Sequence, residues 1–108
     1  MTAIERVCAA LDAAGVEYTY AKAPRNAAYP YIVYREYYTD FDRADNRIDE
    51  VRTGIQVDLY TKTPLDPLVE DVTAALDGAG LVFDIQHFYE DGQKIYHHVF
   101  DVSDVWSE

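Results

Sequence analysis

Residues Tyr29 to Thr63 constrain this chain more than any other stretch: YPYIVYREYYTDFDRADNRIDEVRTGIQVDLYTKT. Tyr, Val and Ile crowd its two ends, and such side chains suit a pleated, half-buried surface, which predicts an aromatic strand and a second strand over Thr53–Tyr60. Between them, about Thr39 to Glu50, lies a charged connection too long for a tight turn. Connections of this length in compact domains are commonly used for binding. The expectation is therefore a projecting polar loop at about 39–50 on an otherwise compact body.

Tyrosine is abundant here, and five of the ten fall at positions 29, 31, 34, 37 and 38. They occupy both parities, so both faces of that strand carry rings. Tyrosine combines an apolar body with a polar tip and is enriched at protein–protein interfaces. Two readings fit: an interface strand, or a strand sandwiched between other layers.

The remaining segments read more conventionally. Thr2 with Glu5 forms a capping-box pattern, Ile4, Val7, Cys8, Leu11 and Ala14 recur at helical spacing, and Gly15 can end the helix. Val16, Tyr18 and Tyr20 alternate with polar residues as a short strand, and a loop over Ala21–Ala28 follows, carrying Lys22 and Arg25. Ile55, Val57 and Leu59 alternate with Gln56, Asp58 and Tyr60, a strand buried on one side. Asp66 as N-cap and Pro67 at the first position begin a second helix, with Leu68, Val69, Val72, Ala75, Leu76 and Ala79 as its stripe. Asp91-Gly92 predicts a two-residue hairpin turn. Pairing outward from it gathers Phe83, Ile85, His87 and Tyr89 with Tyr96, His98, Phe100 and Val102 on the core face. Ser103–Glu108 reads as a polar tail whose Trp106 either folds back or meets a partner.

The element order is αβββαββ. Short and hairpin connections predict an α+β fold, a mainly antiparallel sheet of four to five strands with two helices on one face. At 108 residues the expectation is a single domain over 1–108.

Charge excludes several functions. The net charge is −11, with nine Lys and Arg against twenty acids. Nucleic-acid backbones are bound by cations that displace counterions, so no specific nucleic-acid binding is expected. Attraction to anionic membrane is disfavoured for the same reason, and no apolar run approaches the roughly 20 residues of a membrane span. Glu5 and Arg6 interrupt the first residues, which do not read as a signal peptide, so the chain is expected in the cytoplasm. The acidity either keeps copies apart in solution or lines a surface past which a polyanion slides. Cys8 is the only cysteine and reads as a small core residue.

Chemistry finds little support. His87 and His98 fall on one face, a diagonal step apart in the expected pairing, which could suit a metal ion with a third ligand. Asp84, Asp101 and His97 face the other way. There is no nucleophile elbow and no phosphate-cradling glycine loop. The expectation is no enzyme, no cofactor and no metal, with a small metal- or ligand-binding domain on the His87/His98 face as the alternative.

The run Pro30-Tyr31-Ile32-Val33-Tyr34, then Phe41, Ala44-Asp45, Ile48, Val51 and Gln56-Val57-Asp58-Leu59-Tyr60-Thr61-Lys62, resembles small proteins of the tail-assembly region of long-tailed bacteriophages and prophages. The helix, Leu-Val-Phe strand and hairpin ending Lys94-Ile95-Tyr96 are similar as well. These are the tail completion, tail terminator or head–tail joining proteins. The resemblance implies a structural virion protein of the tail or neck, assembled in the host cytoplasm. It implies a ring, typically of six subunits, that caps the tail tube and contacts the head connector, with DNA passing through the lumen. Its partners would be copies of itself, the tail tube protein and the connector protein. The interface expected on this reading is Tyr34, Tyr37, Tyr38, Asp40, Phe41, Asp42, Arg43, Asp45 and Arg47, where acids and arginines alternate and set docking orientation. A homodimeric scaffold pairing through its Tyr-rich strand stands as a further alternative.

Overall fold

A computed structural model describes residues 2–26, 28–45 and 47–106, with the backbone alone of Asp49. Ala27 of the expected loop, Asn46 and the Asp49 side chain of the expected arm, and Ser107 and Glu108 of the expected tail lie outside the described residues.

Helix α1 spans Ala3–Ala14. Its start is the capping box foreseen in the sequence: the Thr2 hydroxyl accepts from the Glu5 N–H while the Glu5 carboxylate accepts from the Thr2 N–H. Gly15, at φ 73°, ends it in the left-handed region. Strand β1 (Tyr18–Tyr20) is followed by β2 (Tyr31–Ala44) and β3 (Arg47–Thr61). Helix α2 covers Leu68–Gly78, one residue later than expected, and Asp66 still caps it by accepting from the Leu68 N–H at 2.9 Å. Strands β4 (Val82–Glu90) and β5 (Ile95–Trp106) complete the chain.

The five strands form one sheet in the order β1-β2-β3-β5-β4. All pairs are antiparallel except β1 with β2, which run parallel. Both helices lie on one face. Val7 and Leu11 from α1 and Val72 and Leu76 from α2 are fully buried against Ile32, Ile55, Val57, Leu59, Phe100 and Val102 of the sheet. The α+β class and the order αβββαββ hold.

Two expectations are corrected. The segment 39–50 is not a loop: β2 and β3 continue through it as a two-stranded ribbon, pairing Thr39 with Thr53, Asp40 with Arg52, Phe41 with Val51 and Ala44 with Arg47. A bulge at Asp42–Arg43 and the turn at Asp45 interrupt the ladder, and Asp45 there adopts φ 52°, a conformation Asp and Asn tolerate better than most residues. The other correction concerns β4 and β5. They join through four residues, 91–94, rather than two, so His87 stands directly opposite His98 and Tyr89 opposite Tyr96. That displaces the register by two from the Asp91-Gly92 pairing. Because side chains alternate with a period of two, the face assignment survives.

The polar tail is also structured. Strand β5 runs on to Trp106, whose backbone pairs with Arg52 and whose carbonyl accepts from the Arg6 guanidinium at 2.9 Å. Trp106 thus folds back, although its ring stays 41% exposed.

Candidate functional site: a β-ribbon arm

The arm begins where β3 leaves β5 behind. Strand β5 accompanies β3 only as far as Arg52. Beyond that point, among the described residues, no third strand and no helix lies against the ribbon, and it extends roughly 20 Å at strand rise. The molecule is accordingly elongated, 53 × 25 × 24 Å, with a Cα radius of gyration of 14.9 Å. A compact chain of this length would measure about 13 Å.

Residues paired across an antiparallel ladder share a face, so the arm has two distinct sides. Asp40 with Arg52 and Asp42 with Glu50 make one side charged. Arg52 donates from Nη2 to Asp42 Oδ1 at 2.8 Å, and its guanidinium carbon lies 5.6 Å from the Trp106 ring centre. Phe41 with Val51 makes the other side apolar, joined towards the tip by Ile48 opposite Arg43. Phe41 is 50% and Ile48 51% exposed, on an element with no core of its own to cover them. Exposed apolar rings on a rigid projection mark a contact surface.

The root is locked by tyrosines. Gly54 sits where β3 bulges against β5, and the Tyr38 ring lies directly over it; a Cβ at Gly54 would fall 2.1 Å from the ring. From there the Tyr38 hydroxyl donates to Asp104 Oδ1 at 2.8 Å and accepts from the Asp104 N–H at 2.9 Å. Tyr37, next to a register shift in β2, donates to the Asp101 carboxylate. Burial and that carboxylate push the Tyr37 phenol well above its ordinary value, so it stays protonated as a donor. We expect Tyr38→Phe to cost about 1–3 kcal/mol, since it removes a donor and leaves the Asp104 amide without its acceptor. Chemical denaturation at neutral pH measures this.

Tyr34 is occupied differently. Its ring meets Tyr18 and Tyr20 edge-on at 5.8 and 5.5 Å, and its phenol is pushed up to about 12 by a hydrogen bond to half-buried Cys8 and by burial. Of the expected interface residues, the structure therefore places Tyr34 half-buried against β1 and Tyr37 and Tyr38 at the arm's root. Asp40, Phe41, Asp42, Arg43, Asp45 and Arg47 are on the arm itself. Ile48 and Val51 complete its apolar side; their pairing with Phe41 and Arg43 across a short turn was the signal for them.

The helix-free face carries a row of rings that includes three of the remaining tyrosines. Tyr29, Tyr31, Tyr60 and His97 follow one another at centre distances of 5.3, 5.1 and 4.3 Å, and Phe88 continues the row 6.0 Å beyond. Lys62 closes the near end over Tyr29 at 5.1 Å. The rings stack on one another across four strands, so the sheet's open side is braced by its own side chains.

The His87/His98 face does not converge on an ion. The two Nδ1 atoms lie 2.8 Å apart, one donating and one accepting, so each imidazole spends that nitrogen on the other. Asp66 and Glu70 line the hollow of about 460 Å³ beside them, yet among the described residues no group of three metal-ligating side chains assembles. Burial, reinforced by His87 and His97, lowers the pKa of His98 below its usual value, with Asp66 opposing. The unfolded chain thus binds a proton at a higher pH than the folded one. The stability His98 supports is complete above about pH 6.5 and is lost as pH falls through its lower folded-state value. Melting temperature should therefore fall as pH drops below about 6.5, and His98→Gln should flatten that slope.

Comparison with known proteins fits this geometry. Residues 3–106 match the family described as tail completion protein gp17. No match is found among curated proteins. Among solved structures, a chain of the virion of a native gene transfer agent particle is similar in fold, with a TM-score of 0.58 over 99% of this chain and 92% of that one, at 11% identity. A match along nearly the whole length settles the assignment: the protein belongs to the tail completion protein gp17 family and is a structural component of a phage virion tail, not an enzyme.

Proposed function

We propose that the protein assembles as a ring of six subunits that caps the finished tail tube and joins it to the head connector. The arm carries this reading. Its charged side fixes orientation while its apolar side supplies contact area, a division common to specific interfaces. Phe41, Ile48 and Val51 reach past the body to a neighbouring subunit or to the tube protein. The acidic body suits a passage through which DNA moves without adhering, since few cations are available to displace counterions. The fold shared with a chain of a gene transfer agent virion is in keeping with a place in a particle of this kind.

Electron microscopy of a phage lacking this chain tests the proposal. Tubes without their cap should accumulate unjoined to heads, with a broadened length distribution, and the wild-type chain supplied in trans should restore joined particles. Tubes of normal length carrying heads in its absence would contradict both capping and joining. A smaller test addresses the arm chemistry: Phe41→Asp should reduce joined particles at least tenfold while moving the melting temperature little, because the ring contacts no core.

A further inference from the structure

The two free edges of the sheet differ in charge and in shape. Residues 18–35, which form β1, the loop after it and the start of β2, contain Lys22, Arg25 and Arg35 and no acid, while the carboxylates of Asp12 and Glu36 beside them accept from the Tyr18 and Tyr20 hydroxyls. Residues 66–91, which form α2 and β4, contain seven acids and no Lys or Arg. In the strand order β1-β2-β3-β5-β4 these segments stand at opposite ends. Lys22 and Arg25 are exposed and make no ion pair among the described residues, and the same holds for Asp84 and Glu90 on β4. Each edge also exposes apolar surface: Tyr20 is 48% exposed on one, and Val82 72% and Phe88 51% on the other. The nine-residue β4 pairs with β5 alone, leaving its outer backbone groups without a strand partner.

From this we infer that the β4 edge of one copy docks against the β1 edge and the Lys22–Arg25 loop of the next. An exposed strand edge with apolar side chains invites pairing, and here the charges choose the occupant. Two β4 edges would bring acids against acids, and two β1 edges cations against cations. Only unlike edges attract, so the contact is head-to-tail between different patches of the same chain. Contacts of that type propagate around a ring when the rotation closes. The inference rests on the ring reading above and adds which surfaces meet. It also gives a role to Lys22 and Arg25, and it leaves the arm free for a partner above or below the ring.

Charge exchange on the full-length chain tests it. Lys22→Glu with Arg25→Glu makes both edges acidic; Asp84→Lys with Glu90→Lys sets cations on strand β4 to face those of the β1 edge. Each pair alone should weaken self-association at least about tenfold in sedimentation velocity at high concentration, because like charges are forced together. The chain carrying all four changes, and an equimolar mixture of the two pairs, should both recover to within about threefold of wild type. The neutral set (Lys22→Gln, Arg25→Gln, Asp84→Asn, Glu90→Gln) gives an intermediate loss without reversed charge, should a reversal disturb folding; circular dichroism checks each variant. Where wild type assembles only on tail tubes, the fraction of capped tubes is read from the same variants. Reversal pairs that associate as wild type, or a loss that neither the fourfold chain nor the mixture recovers, overturns edge docking. Rings of wild-type size from every variant would do so while leaving the ring reading intact. A wild-type chain that caps tubes without forming a ring removes both.

Discussion

Replacing Phe41–Val51 by an Asn-Gly turn should leave a folded subunit that completes no tails. In the ladder the removed residues pair with each other, the described part of β5 runs beside β3 as far as Arg52, and the Asp42–Arg52 ion pair is lost with the segment. The side chains that make the core, from Val7 and Leu11 to Phe100 and Val102, lie elsewhere. Stability should therefore change by no more than about 1 kcal/mol, equivalent to a melting shift of roughly 4–8 °C in a domain of this size. Joined particles, by contrast, should fall by several orders of magnitude, as expected when the anchors of an interface are removed together. The narrower deletion Asp40–Asn46 removes one strand and strands Ile48 and Val51, so it should abolish completion too, with a somewhat larger loss of stability. Thermal melts and particle counts from the same preparations separate the effects. A variant that unfolds would show that the arm contributes to the core; one that completes tails normally would show that it grips nothing.

Gly54→Val should be the most destabilising single substitution outside the core. A Cβ at this position would lie 2.1 Å from the Tyr38 ring, and the added branches make the overlap worse. The ring must leave, and with it go both hydrogen bonds to Asp104. With the ring swung out the overlap is relieved, and the two lost hydrogen bonds cost about 1 kcal/mol each. A total of about 2 kcal/mol lowers the melting temperature by roughly 8–16 °C in a domain of this size. The double variant Tyr38→Ala, Gly54→Val should be less unstable than the sum of its single changes, because the ring that clashes is gone; such coupling is what a double-mutant cycle detects between touching residues. Simple additivity would mean that the bulge itself, and not the ring above it, is the constraint.

The sequence announced the helices and the buried strands because each carries its period on the surface of the text. Thr2, Glu5 and Gly15 bracket α1, and Ile55, Val57 and Leu59 alternate on β3, since a core beneath them demands it. The arm lacked that demand. With no core below, Asp40, Asp42, Arg43 and Asp45 carry charges that disfavour strands on average, and the ladder holds through its cross-strand partners instead. Two bulges, at Glu36–Tyr38 and Asp42–Arg43, further blur the alternation. The hairpin was legible in its faces and not in its register. Asp91-Gly92 marked a turn, but four residues fill it, with Lys94 at φ 54°. The surroundings of Tyr34 were hidden for a related reason: its neighbours Tyr18 and Tyr20 come from a parallel strand whose pairing no local pattern reveals. The tyrosine row on the open face was visible as composition, yet its continuity through His97 to Phe88 depends on strand order.

The ribbon also makes the molecule unequal in how long its amide protons last. At the root, β2 and β3 are flanked by β5 and roofed by the helices, so those N–H groups open to solvent only when the whole subunit unfolds. Towards Asp45 the same two strands have water on every side, and each amide there is shielded by one bond alone. Deuterium should enter the tip within seconds and the root over hours. Once a neighbour seats on Phe41 and Ile48, the fast zone should slow while the slow zone stays as it was, giving a residue-resolved clock for docking.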